Sequence, residues 1–192
     1  MLATIAIQNH PSKVRNPMRL LSRLFSSGRR TLPEPTQPLI VVGDIHGRSD
    51  LLEDLMERLA AEHVAQHTLV FVGDYIDRGE TSADVLGLLQ ALQTRLWPGE
   101  VVCLQGNHEA MMLDFIDQPE EAGAFWIQNG GAHTLASFGI RPPDLSPDAL
   151  VAARDALCKA MPPGTEDWLR SLPLSHRSGT VFVTHAGADP HT

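Results

Sequence analysis

Three segments of this chain repeat one plan: an apolar, mostly β-branched run, a glycine, and then a short side chain able to ligate. They read LIVVGD ending at Asp44, LVFVGD ending at Asp74 and VVCLQGN ending at Asn107, spaced 30 and 33 residues apart. That spacing is the length of a βαβ unit. The intervening text reads as helix. Ser49 is placed to cap a first one, whose Leu51, Leu52, Leu55, Met56 and Leu59 share a face. Val85, Leu88, Leu89, Leu92 and Leu96 mark a second over residues 82–96, stopped by Trp97-Pro98-Gly99. Continuous apolar strands alternating with amphipathic helices predict an α/β fold whose mostly parallel sheet is covered on both faces. In such folds ligands meet the carboxyl ends of the strands, so Asp44, Asp74 and Asn107 are expected on one rim. Helix or loop is expected from Glu109 and over 121–129, one more amphipathic helix over 147–161, and a last strand pair over 174–178 and 180–184 leads into His185.

The chain has 192 residues, 43% of them hydrophobic and 20% charged, which suits one globular domain with a real core. Residues 1–37 hold six basic side chains and one acidic, a net of +5, and read as a basic, disordered tail closed by Pro33, Pro35 and Pro38. Residues 38–192 hold nine basic and 22 acidic side chains, a net of −13. So acidic a body is a poor surface for a nucleic-acid backbone, and no stable DNA binding is expected. There is no apolar run of about 18 residues, hence no expected transmembrane segment. Cys103 and Cys158 form no paired motif and read as buried thiols of a cytoplasmic protein.

The chemistry starts at Asp44-Ile45-His46. From an extended strand end, residues i and i+2 point the same way, giving one oxygen and one imidazole for a cation. Asp74, Asn107 and His185 would add to a mixed O/N set suited to Mn, Fe or Zn rather than Ca. Asp74, between the other two, is placed to bridge two ions. Tyr75 and Trp126 read as packing residues, and His10, His63, His67, His133 and His176 as solvated or structural.

The blocks GDIHG (43–47), GDYIDRG (73–79), GNHE (106–109) and THAG (184–187) resemble the phosphoprotein phosphatase branch of the calcineurin-like metallophosphoesterases. The text between them, including WIQNGGAHTLASFG, looks like bacterial serine/threonine phosphatases of that branch. The resemblance spans about residues 39–190. It implies a metallophosphoesterase β-sandwich core flanked by helices, opening βαβαβ, with residues 38–192 as catalytic domain. It also implies two divalent metals, manganese foremost, with iron or zinc as alternatives. Asp44, His46 and Asp74 would hold the first, and Asp74, Asn107 and His185 the second. A hydroxide bridging the metals would attack the phosphoester. Arg78 would fork onto the phosphate, with Asn107 and His108 also binding it, and His108, polarised by Asp77, would protonate the leaving oxygen.

The family pattern also carries another histidine ligand and a second arginine beyond the HAG block. Here ADPHT (188–192) takes that place, and His191 is a poor substitute. The expectation is a chain incomplete at its C-terminal end, with a weakened second metal and exposed core. Hydrolysis of phosphomonoesters, foremost phosphoserine and phosphothreonine in proteins, is the leading expectation. Hydrolysis of diadenosine tetraphosphate or of nucleotide-capped RNA is the alternative, and an inactive phosphatase-like binding protein is the alternative of another class. The substrate is then a phosphoprotein or a nucleoside polyphosphate, and the oligomeric state is open.

Overall fold

A computed structural model describes residues 32–187. Strand β1 (Leu39–Val42) leads to helix α1 (Ser49–Ala61), then β2 (Thr68–Phe71), α2 (Ser82–Ala91), a π-helical turn (Leu92–Leu96) and β3 (Val101–Cys103). The three strands form a parallel sheet in the order β1-β2-β3, with Val41 opposite Val70 and Val70 opposite Val102. Every residue of the central β2 is buried, as expected for a run lacking polar alternation.

Helices α3 (Asn107–Asp117), α4 (Pro119–Trp126), α5 (Ala132–Ser137), α6 (Pro147–Ala160) and α7 (Thr165–Ser171) follow, with a π-helical turn at Ile127–Gly131 between α4 and α5. The antiparallel hairpin of β4 (Ser175–Ser178) and β5 (Val181–Thr184) comes last among the described residues. The two faces of the parallel sheet are covered differently. A large cluster built around Leu52, Phe71, Leu89, Phe115, Trp126 and Leu157 takes in all the long helices. On the other face Val70 and Leu104 meet Val183, with Val41, Val102 and Val181 packed around them, so the hairpin supplies the opposing layer of a sandwich. Burial of the small second cluster fixes how the hairpin sits, and hence where the residue after β5 arrives.

Several local readings are corrected. Ser49 caps nothing; it is the first residue of α1, and its N–H is taken by the Thr81 hydroxyl at 3.0 Å, so the cap comes from the next βα loop. The second helix is α-helical only to Ala91 before it widens. Helices α5 and α7, of six and seven residues, were not expected. Cys103 is buried but Cys158, on α6, is exposed, because the apolar face of α6 runs through Leu150, Ala153 and Leu157. A Pro-containing strap ahead of β1 lies on the hairpin turn. There the Glu34 N–H donates to Thr180 Oγ1 at 2.8 Å, and the Thr180 N–H donates to the Glu34 carbonyl at 3.0 Å. No helix among the described residues is long and apolar enough to cross a membrane. The rest of the basic tail, with His10, and also His191, lies outside the described residues.

Candidate metal centre

The loops after β1, β2 and β3 and the end of β5 converge at the carboxyl edge of the parallel sheet. Asp44 and His46 follow β1, but not as an extended strand end. His46 has φ 45° and the strand has already ended at Val42, so a turn brings the two side chains together. Ile45 and His46 both donate their N–H to the Asp74 carbonyl, at 3.0 and 2.9 Å, which staples the first loop to the second. Asp74 at φ 55°, Asp77 at φ 70° and Arg78 at φ 67° are also left-handed. Gly73 and Gly106 lie so close that a Cβ on either would strike the backbone of the opposite loop, which is why both loops start with glycine.

Glu109 holds these loops in place. Its Oε2 accepts the N–H of Asp74 at 2.8 Å and of Gly106 at 2.9 Å, while Oε1 accepts those of Tyr75 at 2.8 Å and Ile76 at 3.4 Å. Complete burial nevertheless pushes its carboxyl up to about 6, against the opposing pull of the backbone donors. Sequence reading passed over Glu109 because a helical glutamate has no periodic signal of this role.

Three histidines face inward, each with its tautomer set from behind. His46 Nδ1 donates to the Ile76 carbonyl at 2.8 Å, His185 Nδ1 to the Val72 carbonyl at 3.0 Å, and His108 Nδ1 to Asp77 Oδ2 at 2.7 Å. A carbonyl can only accept, so Nδ1 carries the hydrogen in His46 and His185, and in their neutral forms Nε2 turns a lone pair to the centre. There His185 Nε2 lies 3.0 Å from Asn107 Oδ1 and 3.4 Å from Asp74 Oδ1. Three acceptors meeting without a hydrogen between them repel one another, whereas a divalent cation satisfies all three. His46 Nε2 is 3.7 Å from Asp74 Oδ2 and 3.9 Å from Asp44 Oδ2. The donor set therefore fits metal ions of the borderline, N/O-preferring kind. By distance among carboxylates and imidazoles alone, Asp44 groups with Asp74 and His185, and His46 with Asp74 and His108. All five expected ligands share one centre, and Asp74 belongs to both groups.

Arg78 is exposed at the rim and reaches inward, donating at 3.0 Å to both His46 Nε2 and His108 Nε2. His108 is buried, and Asp77 behind it is fully so. Burial works against the His108 imidazolium, but the hydrogen bond to Asp77 and the charges of Asp74 and Asp77 outweigh it, and the net shift is upward. Trp126 packs as expected, stacked on Phe115 at 4.8 Å between ring centroids, but it also donates its indole N–H to Asp77 Oδ2 at 2.9 Å. Thr134 donates to Asp77 Oδ1 at 2.7 Å. Neither contact was legible beforehand. Among the remaining histidines, His67 bonds its own turn through the Val64 carbonyl at 2.9 Å, and His63 and His133 are exposed.

The family model for calcineurin-like phosphoesterases matches residues 37–191. The chain belongs to that family. It is 40% identical over 91 residues to serine/threonine-protein phosphatase 2 of Escherichia coli strain K12, covering 47% of this chain and 37% of that protein. It is 36% identical over 95 residues to a Caenorhabditis elegans protein known only by its locus, covering 45% of this chain and 37% of the relative. A solved structure provisionally named a diadenosine tetraphosphatase superposes with a TM-score of 0.52 at 29% identity, over 84% of this chain and 55% of that one. The chain thus spans roughly half or less of the length of these relatives. Like its structural neighbour, it has a parallel sheet flanked by helices.

Proposed function

We propose that this chain hydrolyses phosphomonoesters, foremost phosphoserine and phosphothreonine in proteins, in a reducing cytoplasm, with residues 38–192 as its catalytic domain. The observation that carries the reading is Arg78. From an exposed position on the rim it puts one guanidinium nitrogen on each of two inward-facing imidazoles, directly before a cluster of carboxylates. With a cation on His46 Nε2, that side of the guanidinium would be released, and it then has a fork matched to two phosphoryl oxygens and offsets the negative wall behind it. Asp44 and Arg78 are both exposed at the mouth, which suits a phosphorylated side chain presented by a protein.

In this reading Asp44, His46 and Asp74 hold one divalent ion, manganese foremost, and Asp74, Asn107 and His185 hold another. When bound, the ions supply positive charge opposite the phosphoryl oxygens and an acidified water. The residues of the chain do the rest. Asn107 and Arg78 orient the phosphoryl group. With Arg78 turned from its imidazole to the phosphoryl group, His108 in its imidazolium form would donate the Nε2 proton to the departing oxygen, while Asp77 accepts from Nδ1 and steadies that form.

A second reading has its own support in the likeness to the provisionally named diadenosine tetraphosphatase, which runs over 84% of this chain. Release of phosphate from phosphoserine and phosphothreonine peptides with Mn²⁺, beside diadenosine tetraphosphate and an Asp74→Asn control, tests both. Peptide turnover lost in the variant supports the first reading, and turnover confined to the dinucleotide replaces it with the second. Phosphopeptide binding without turnover would make the chain a binding protein instead.

A further inference from the structure

Asp77 has no solvent exposure and three hydrogen bonds to its carboxylate, from Thr134 Oγ1 on Oδ1 and from Trp126 Nε1 and His108 Nδ1 on Oδ2. Its own N–H donates to Thr134 Oγ1 at 2.9 Å and to Ser82 Oγ at 3.1 Å, which holds the left-handed backbone in place. Thr134 therefore grips both the main chain and the side chain of Asp77, and Trp126 fixes the oxygen that His108 uses.

A packing role alone accounts for part of this. Trp126 stacks on Phe115 and would be buried without Asp77. Packing does not account for why two donors eight residues apart meet on one carboxylate. In a continuous helix eight residues span about 12 Å along the axis. Here the π-helical turn and Gly130, at φ 118°, kink the chain between α4 and α5 and redirect the second segment. The Gly130 carbonyl accepts the Arg78 N–H at 3.4 Å, and a Cβ on Gly131 would strike the Trp126 ring. The kink thus serves the Asp77-Arg78 loop at several points.

The terminal torsion of an aspartate is broad and two-fold, so a carboxylate held only by His108 could turn and carry the imidazole with it. We propose that Trp126 and Thr134 are positioning residues that fix the plane of the Asp77 carboxylate, and through it the Nδ1–H hydrogen bond and tilt of the His108 imidazolium. The inference rests on His108 as proton donor in the proposed reaction. The two donors make no contact with the reacting atoms; they set the direction in which Nε2 faces.

The test uses the 192-residue chain with Trp126→Phe, which keeps the ring stack and removes the N–H, and Thr134→Val against Thr134→Ser. Two phosphomonoesters separate proton delivery from everything else: phenyl phosphate, whose leaving group needs a proton, and 2,4-dinitrophenyl phosphate, whose leaving group departs as a stable anion. The expected result in Trp126→Phe and Thr134→Val is a fall of about 10-fold in kcat on phenyl phosphate, the size of one charged hydrogen bond, with unchanged KM and the dinitrophenyl ester within about twofold. Thr134→Ser restores the rate. In parallel, the downfield proton resonance of His108 Nδ1–H, assigned by its loss in His108→Gln, shifts and exchanges faster in the Trp126→Phe and Thr134→Val proteins and returns in Thr134→Ser. An equal fall on both esters, or a resonance unmoved in both variants, overturns the proposal. If the wild-type chain hydrolyses neither ester, the phosphoesterase reading fails for this chain, and the proton resonance alone decides the positioning role.

Discussion

His46, Asp74, Asp77 and Arg78 all occupy left-handed backbone, a conformation that costs a non-glycine residue about 1–3 kcal/mol when imposed by its surroundings. The surroundings here are side chains that bind backbone. Glu109 illustrates it, since both of its oxygens accept from N–H groups and each serves two. Glutamine offers one acceptor oxygen, so Glu109→Gln turns an amide NH₂ against two N–H donors. The expected cost is about 2–5 kcal/mol, read as a lower urea midpoint with an unchanged m-value. Asp74→Asn is the opposite case. It keeps the shape and removes a charge from the point where His46, His108 and His185 converge, so turnover should fall by about 100-fold or more while the urea midpoint moves little. A variant that unfolded as readily as the Glu109→Gln protein would show that Asp74 is needed for folding rather than for the centre.

At the scale of elements, what was legible followed periodicity and what was not followed contact. The three apolar runs, the face of α1 apart from Leu51, which is exposed, and the long α6 announce themselves over enough residues to fix a period. Helices α5 and α7 are under two turns each and fall below any window in which a period can be read. Asp44, His46, Asp74, Asn107 and His185 were legible because each sits in a short block at a strand end. Trp126 and Thr134 were not, because no local pattern links a residue to a carboxylate 49 or 57 positions away. The turn at Asp44-Ile45-His46 was misread as extended because convergence of i and i+2 has two geometric solutions. One element-level consequence concerns Thr81, whose hydroxyl accepts from Ser49 N–H and donates to the Gly47 carbonyl at 2.7 Å. Thr81→Ala should cost about 1 kcal/mol by uncapping α1 from outside, visible as a lower unfolding temperature in differential scanning calorimetry. Another concerns Gly130, where a methyl group would meet Arg78 N at 2.9 Å in a backbone conformation alanine resists. Gly130→Ala should raise KM for phosphate esters by about 10-fold as the Arg78 fork shifts, in steady-state kinetics.

For the whole molecule, charge and metal act together. Carboxylates and imidazoles from four separate segments meet at one edge, so a cation there ties the β1, β2 and β3 loops to the end of β5. Divalent metal at about 100 times its Kd should add about 2.7 kcal/mol to stability and raise Tm by roughly 5–11 °C for a chain of this size. Chelation should reverse the rise, and His185→Ala should shrink it; a Tm indifferent to Mn²⁺, Zn²⁺ and chelator alike would mean the centre does not assemble. The hairpin that brings His185 also sets an order of events in the cell. Asn107 and His185 are 78 residues apart, and at about 5–20 residues per second a ribosome needs about 4–16 s to travel between them. For that interval the nascent chain already carries Asp44, Asp74 and Asn107 without the His185 imidazole, so an ion captured early would be held by fewer groups and would exchange more readily until β5 docks.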